Sequence, residues 1–301
     1  RGTGKTRFLE SLEDKIESSL LFVDCRAATG ADFLTLFCQS LGLGPGAKFD
    51  PREIRSRLED KGVGLVAVDN IHRLLRPVIG GQGELDIVIS RLQELDFPGT
   101  WLYTVDRHTW RYLLAAQPKR AIADTILELP PWTEEQIADY IQQRCEEMNI
   151  EPDFSAVSVP RQFLDAQHSS PSERNRAGVI RMLVDYAEGN ISVAMRLFAE
   201  CLAVEKSGAV EGALPCLASS VELEALPLDS ALVLRVIAQF EGVHPQDIQA
   251  ALRVSPAEVH AMLRLARMRG WIEDNDGRLD LHWRWRPVIV RMLARQNLLS
   301  R

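Results

Sequence analysis

The chain has 301 residues, 46% of them hydrophobic and 26% charged, with a formal net charge of −7. The length predicts two or three domains rather than one ordinary core, and the composition is that of a soluble globular protein. Three things are excluded or disfavoured: no apolar run is long enough to span a membrane as a helix, no signal-peptide pattern can be read, and five scattered cysteines form no C-x-x-C pair. Thiols so placed point to burial in a reducing compartment, such as the cytoplasm.

The chain opens on Arg1-Gly2-Thr3-Gly4-Lys5-Thr6. This reads as the second half of a phosphate-binding loop, G-x-x-x-x-G-K-[ST], whose first glycine would sit two residues before Arg1. Gly2 and Gly4 let backbone amides turn toward an anion, Lys5 can bridge β- and γ-phosphates, and Thr6 offers a hydroxyl to Mg²⁺. Helical spacing from Arg7 to Leu12 would aim a helix N-terminus at the phosphates. Gly2, Thr3, Gly4, Lys5, Thr6 and Arg7 are therefore the expected nucleotide contacts.

Leu20 to Cys25 reads as a buried strand, Ala31 to Leu41 and Pro51 to Lys61 as helices, and Val63 to Asn70 as a second buried strand. Glu84 to Leu95 is predicted helical, Thr100 to Val105 a third strand, and Asp124 to Leu129 a fourth. Strands alternating with helices predict a parallel sheet covered on both faces. From Thr133 the pattern is helical: Glu134 to Asn149 behind a Thr133/Gln136 capping box, then Pro160 to Ala166, Arg174 to Ala187 and Asn190 to Val204. Small residues mark Gly208 to Pro215 as a linker. Helices over Ser230 to Phe240, Pro245 to Leu252 and Pro256 to Arg269 precede a hairpin around Asp274-Asn275-Asp276-Gly277, the pattern of a winged helix. The expected domains are 1–131, 132–207 and 229–301, with 208–228 as linker.

The second strand ends in Asp69, where a carboxylate beside the loop could hold Mg²⁺. With G-T-G-K-T, V-A-V-D-N, a third strand ending at Thr104 and Asp106, E-L-P-P-W-T, E-G-N-I-S-V-A and the terminal winged helix, the sequence resembles the P-loop ATPases of the AAA+ and STAND type. The resemblance implies ATP and Mg²⁺ as ligands, Lys5, Asp69 and the following residue in catalysis, Thr6 and Asp69 at the metal, and Thr104 or Asp106 as γ-phosphate sensor. Position 70 departs from the pattern. Such ATPases place a water-polarising acid there, and an amide cannot take that proton, so the expectation is slow hydrolysis or a switch that mainly binds ATP. His72 is a substitute base or a solvated loop residue. Ile191 and Ser192 replace the proline and arginine of related lids, leaving Arg196 as a phosphate contact or a surface residue. Arg120 is an arginine finger or a solvated turn residue, and Arg107, His108 and Arg111 form an alternative contact surface.

Partners are open at this stage. The segment Asp229 to Arg301 holds 11 basic and 8 acidic residues against 24 and 34 elsewhere, which permits DNA binding there. His260, Arg264, Arg267 and Arg269 favour DNA, whereas Glu273, Asp274, Asp276 and Asp280 near the wing favour a regulatory protein or self-assembly. Trp283 to Arg286 reads as an alternating strand. The alternatives are an ATP-dependent switch, a DNA-binding ATPase adaptor for transposition, initiation or transcription, and an inactive scaffold.

Overall fold

Three parallel strands end side by side, and their shared C-terminal edge is where the chemistry collects. The computed structural model describes residues 2–27, 30–44, 46–117, 122–164, 170–206 and 208–299. The chain divides into two units, one of Arg1–Gly4 with Leu127–Val221 and the other of Lys5–Ile126 with Glu222–Arg301.

In the larger unit, α1 (Lys5–Glu10), β1 (Ser19–Asp24), α2 (Gly30–Ser40), α3 (Pro51–Asp60), β2 (Val63–Asp69), α4 (Gly83–Gln93), β3 (Thr100–Tyr103) and α5 (Arg107–Ala116) follow the predicted alternation. The sheet order is β1-β2-β3, all parallel. Central β2 is the apolar run Val-Gly-Leu-Val-Ala-Val, and its Val66, Ala67 and Val68 are fully buried, as a strand covered on both faces requires. Phe33, Phe37 and Trp101 stack on one face, with ring centroids 6.1 Å apart in each successive pair. α3 starts where Asp50 accepts from the Arg52 and Glu53 amides, with Pro51 supplying a preset first turn.

The predicted fourth strand does not form. Asp124 to Leu129 lies outside any strand, and Ile126 and Leu127 are 61% and 73% exposed. β-branched and apolar residues there satisfy a propensity, but among the described residues no strand lies beyond β3 to share a ladder.

The smaller unit holds α6 (Glu134–Glu147), α7 (Pro171–Ala187), α8 (Ile191–Glu200), β4 (Leu202–Val204) and β5 (Val210–Gly212). The Thr133/Gln136 capping box is formed in both directions. Only a short 3₁₀ turn, Arg161–Phe163, occupies the predicted helix from Pro160, whose last residues lie outside the described ones. The helix expected to reach Val204 stops at Glu200 because Leu202 to Val204 pairs antiparallel with Val210 to Gly212. Gly212, read as a linker residue, is small for packing: a Cβ there would fall 2.3 Å from the Phe154 ring.

The larger unit resumes with α9 (Val221–Glu224, entered from Val221 of the smaller unit), α10 (Leu228–Phe240), α11 (Pro245–Leu252), α12 (Pro256–Met268), β6 (Ile272–Asn275), β7 (Arg278–Leu281) and α13 (Arg286–Arg295). Ser255 and Glu258 close a capping box on α12. The hairpin turns at Asp276 and Gly277, with φ of 53° and 79°, as a two-residue turn with both central residues left-handed demands. Trp283 to Trp285 is a turn rather than a strand, and Arg286 begins α13. The alternation misled because Arg286 points inward as an ion-pair partner rather than outward to water.

Candidate nucleotide site

β1 and β2 pair in register so that Asp24 lies beside Asp69, and Thr104 follows directly on β3. Thr104 extends the ladder through its amide, which donates to Val68 O at 3.0 Å. Asp69 is fully buried, and both of its oxygens are engaged. Thr6 Oγ1 donates to Asp69 Oδ2 at 2.6 Å, and Thr104 Oγ1 donates a short bond to Oδ1. Asn70 closes the ring: its amide N donates to Asp69 Oδ1 (3.1 Å) and Thr104 Oγ1 (2.9 Å), and its Nδ2 donates to Asp69 Oδ2 (3.0 Å) and Asp24 Oδ1 (3.1 Å). Asn70 adopts φ 58°, ψ 37°, the left-handed conformation that asparagine tolerates better than most residues.

Arg26 adds a cation. Its Nη2 donates to Thr6 Oγ1 at 3.3 Å and its Nε lies 3.5 Å from Asp24 Oδ2. The Thr6 hydroxyl gives its proton to Asp69 and accepts from Arg26 on one of its two lone pairs, leaving the other for a divalent cation. The donor set of one hydroxyl and adjacent carboxylates suits Mg²⁺, an oxygen-seeking ion. Neither Asp24 nor Arg26 was singled out from sequence. An acid at a strand end acquires meaning only once the register sets it beside Asp69.

The other predicted residues distribute as follows. Gly2 and Gly4 have φ of 81° and 98°, so the loop backbone takes the conformation glycine permits. Ser192 N donates to Gly2 O at 3.2 Å, and a Cβ on Gly2 would fall 2.6 Å from Asn190 Oδ1, so the Asn190 to Ser192 segment packs on the loop backbone. Thr3 lies in that loop, and Lys5 and Thr6 open α1. Arg7 is 90% exposed and pairs with Glu10 at 3.3 Å. Arg196 is exposed on α8, and Arg120 lies outside the described residues.

Two residues beyond Asn70 and Thr104, the same edges enter a buried charge cluster. His72 is 1% exposed, neither solvated nor free to act as a base. Its Nδ1 accepts from Asp106 N (3.3 Å), so Nε2 carries the proton and donates to Glu241 Oε2 (3.4 Å). Arg286 of α13 bridges Glu241 Oε1 at 2.7 Å and Asp106 Oδ2 at 3.2 Å, and Arg73 reaches Asp280 at 3.4 Å. Burial alone would raise the Asp106 and Glu241 carboxyls, but surrounding positive charge overrides it. Arg286 and Lys5 hold Asp106 low, and the Arg286 charge together with the hydrogen bond from His72 holds Glu241 well below the usual range. The cluster ties β2 and β3 to residues 241–286.

A loop with a Lys-Thr pair, a strand-end aspartate on the threonine and a polar residue closing the third strand define the class of P-loop nucleoside triphosphatases. Residues 1–120 match the family model described as AAA domain. Similar solved structures include the Aeropyrum pernix Orc1 protein in complex with DNA (18% identity, 99% of this chain and 85% of that chain, TM-score 0.39). Pyrobaculum aerophilum Cdc6p gives 15%, 98% and 86%, with a TM-score of 0.38. The Walker-type ATPase PABY2304 of Pyrococcus abyssi gives 16%, 97% and 88%, with a TM-score of 0.38. No curated protein matches the chain. Among the described residues, no group of three or more His, Cys, Asp or Glu side chains is placed to hold a metal ion, and no helix is long and apolar enough to cross a membrane.

Proposed function

We propose that the chain is an ATP-binding switch of the AAA+/STAND type that couples nucleotide state to a regulatory protein partner or to a second copy of itself. The nucleotide domain would be 1–131, the lid 132–207, the linker 208–228 and the coupling winged helix 229–301. The observation that carries the reading is the closed ring of Thr6, Asp69, Asn70 and Thr104. In it Lys5 would neutralise phosphate, Thr6 would ligate Mg²⁺, Asp69 would hold the metal through water, and Thr104 would sense the γ-phosphate. Mg²⁺, when bound, would supply charge neutralisation at the phosphates. Because position 70 bears an amide, turnover would be slow unless another acid beside Asp69 takes the proton. The buried link from Asp106 and His72 to Arg286 and Glu241 supports coupling to the C-terminal segment. Four buried free thiols support a reducing, cytoplasmic setting; burial pushes Cys201 up to about 12.

ATP affinity of the full-length protein with Mg²⁺, measured beside Lys5→Ala, tests this. The variant is expected to bind at least about tenfold more weakly, since it loses a charge-assisted contact to phosphate. Equal affinity of the two proteins sinks the reading and leaves the inactive scaffold. A second reading, DNA binding through α12, is favoured by exposed His260 and Arg264. It is opposed by the pairing of Arg267 with Asp274 at 2.6 Å and of Arg269 with Glu222 at 3.3 Å.

A further inference from the structure

We infer that Asp24 supplies the carboxylate missing after Asp69: it orients the attacking water and accepts its proton, with Asn70 as the residue that positions it. The inference rests on the ATP-binding reading and assigns that site its hydrolytic group.

Register and hydrogen bonding argue for it. Asp24 and Asp69 are Cα partners at the ends of adjacent parallel strands, so both carboxylates stand at the edge that carries Thr6 and Thr104. The Asn70 amide clamps one oxygen of each, at 3.1 and 3.0 Å. A carboxylate at position 70 would repel both; an amide N–H₂ holds both. The two acids differ in what remains available. Asp69 has no exposure, and its oxygens already accept from Thr6, Thr104 and Asn70. Asp24 is 31% exposed in its side chain, so water reaches it. Its Oδ1 is fixed by Asn70 Nδ2 and the Arg26 amide (3.0 Å), whereas Oδ2 faces Arg26 Nε at the longer 3.5 Å. That guanidinium is 58% exposed and donates to Thr6 Oγ1 at 3.3 Å, so it is held from the open side of the site. Asp24 Oδ2 is the oxygen without a hydrogen bond from Asn70 or the Arg26 amide, and it is the one assigned to the water.

The step balances without a further reactant. The water oxygen bonds to the γ-phosphorus. The bond from that phosphorus to the β–γ bridging oxygen breaks, leaving its electron pair on ADP. The proton released by the water passes to Asp24 Oδ2 and from there to solvent.

The test uses the full-length protein with Mg²⁺ and three readouts: single-turnover ATP hydrolysis, ATP affinity, and trapping of ADP with aluminium fluoride, which imitates the planar phosphoryl group. Asp24→Asn is expected to lower hydrolysis about 10²-fold or more and abolish trapping, with ATP affinity within about threefold of native, as loss of a transition-state contact requires. The exchange Asp24→Asn with Asn70→Asp returns a carboxylate to the pair and is expected to recover at least about tenfold over Asp24→Asn alone. Asp24→Ser provides a second removal should Asp24→Asn not fold. Full turnover in the Asp24 variants, or turnover and affinity falling together, overturns the role of Asp24. Native turnover no higher than that of Lys5→Ala, with ATP still bound, overturns it too and leaves the ATP-binding reading standing. No ATP binding by the native protein overturns both.

Discussion

At Arg286 the cost of breaking the buried cluster is concentrated in one side chain. It holds Glu241 and Asp106 ionised inside the protein, so removing it strands two carboxylates without their main counter-charge. Arg286→Met is expected to lower stability by about 3–5 kcal/mol at neutral pH, the usual cost of an orphaned buried charge. The sign with pH follows from the shifts. Both carboxyls are depressed in the folded native protein, so their contribution is present above the unfolded value near pH ~4 and is lost as pH falls through the folded values. Without Arg286, burial raises them instead, so the deficit is largest at pH 8 and shrinks toward pH ~5 as they protonate. Urea denaturation of both proteins across that range checks this; a deficit independent of pH would rule it out. Lys5, Thr6 and Asp69 could be singled out because each sits in a recognisable local pattern, the G-T-G-K-T loop or an apolar strand ending in aspartate. Arg286, His72 and Asp24 sit in no such pattern, and only the fold brings them to Asp106, Glu241 and Asn70.

Elements were legible where local signals agreed with tertiary ones. Thr133 with Gln136 announced α6, and both bonds of the box exist. Thr133→Ala is expected to cost about 1 kcal/mol, read as a fall in the thermal midpoint, with Thr133→Ser close to native. An unchanged midpoint would mean that packing of Ile137 and Ile141 alone fixes that helix start. Asp276-Gly277 likewise announced its hairpin. Asp124 to Leu129 shows the opposite case: its residues suit a strand, but a strand is a pairing, and propensity carries no information about the neighbour. Within Gly208 to Pro215, Gly212 is small to admit Phe154 and closes β5, which composition alone does not convey.

For the molecule as a whole, net charge and its local neutralisation weigh against nucleic acid as the main partner. Arg267 and Arg269, two of the four basic groups counted on or just after α12, are engaged by acids, and Glu273, Asp274 and Asp276 stand on or beside the hairpin. Salt dependence reads the number of phosphates neutralised, with a slope of about −0.9 per contact on duplex DNA. With His260 and Arg264 as the remaining groups on that helix, the full-length protein is expected to show a slope no steeper than about −2. A slope near −5 would establish an electrostatic DNA interface elsewhere on the surface. The α/β class could be read from periodicity, whereas the division by contacts could not: Gly2 groups with Asn190 and Ser192, far along the chain.

The left-handed backbone of Asn70 bears on how this protein can change over generations. Glutamate at that position would have to enter a conformation costing a bulky L-residue about 1–2 kcal/mol, and would lose both side-chain amide donors. The commonplace ATPase arrangement is thus more than one substitution away. It would also set a third carboxylate against Asp24 and Asp69, which the Asn70 side-chain amide holds at 3.1 and 3.0 Å.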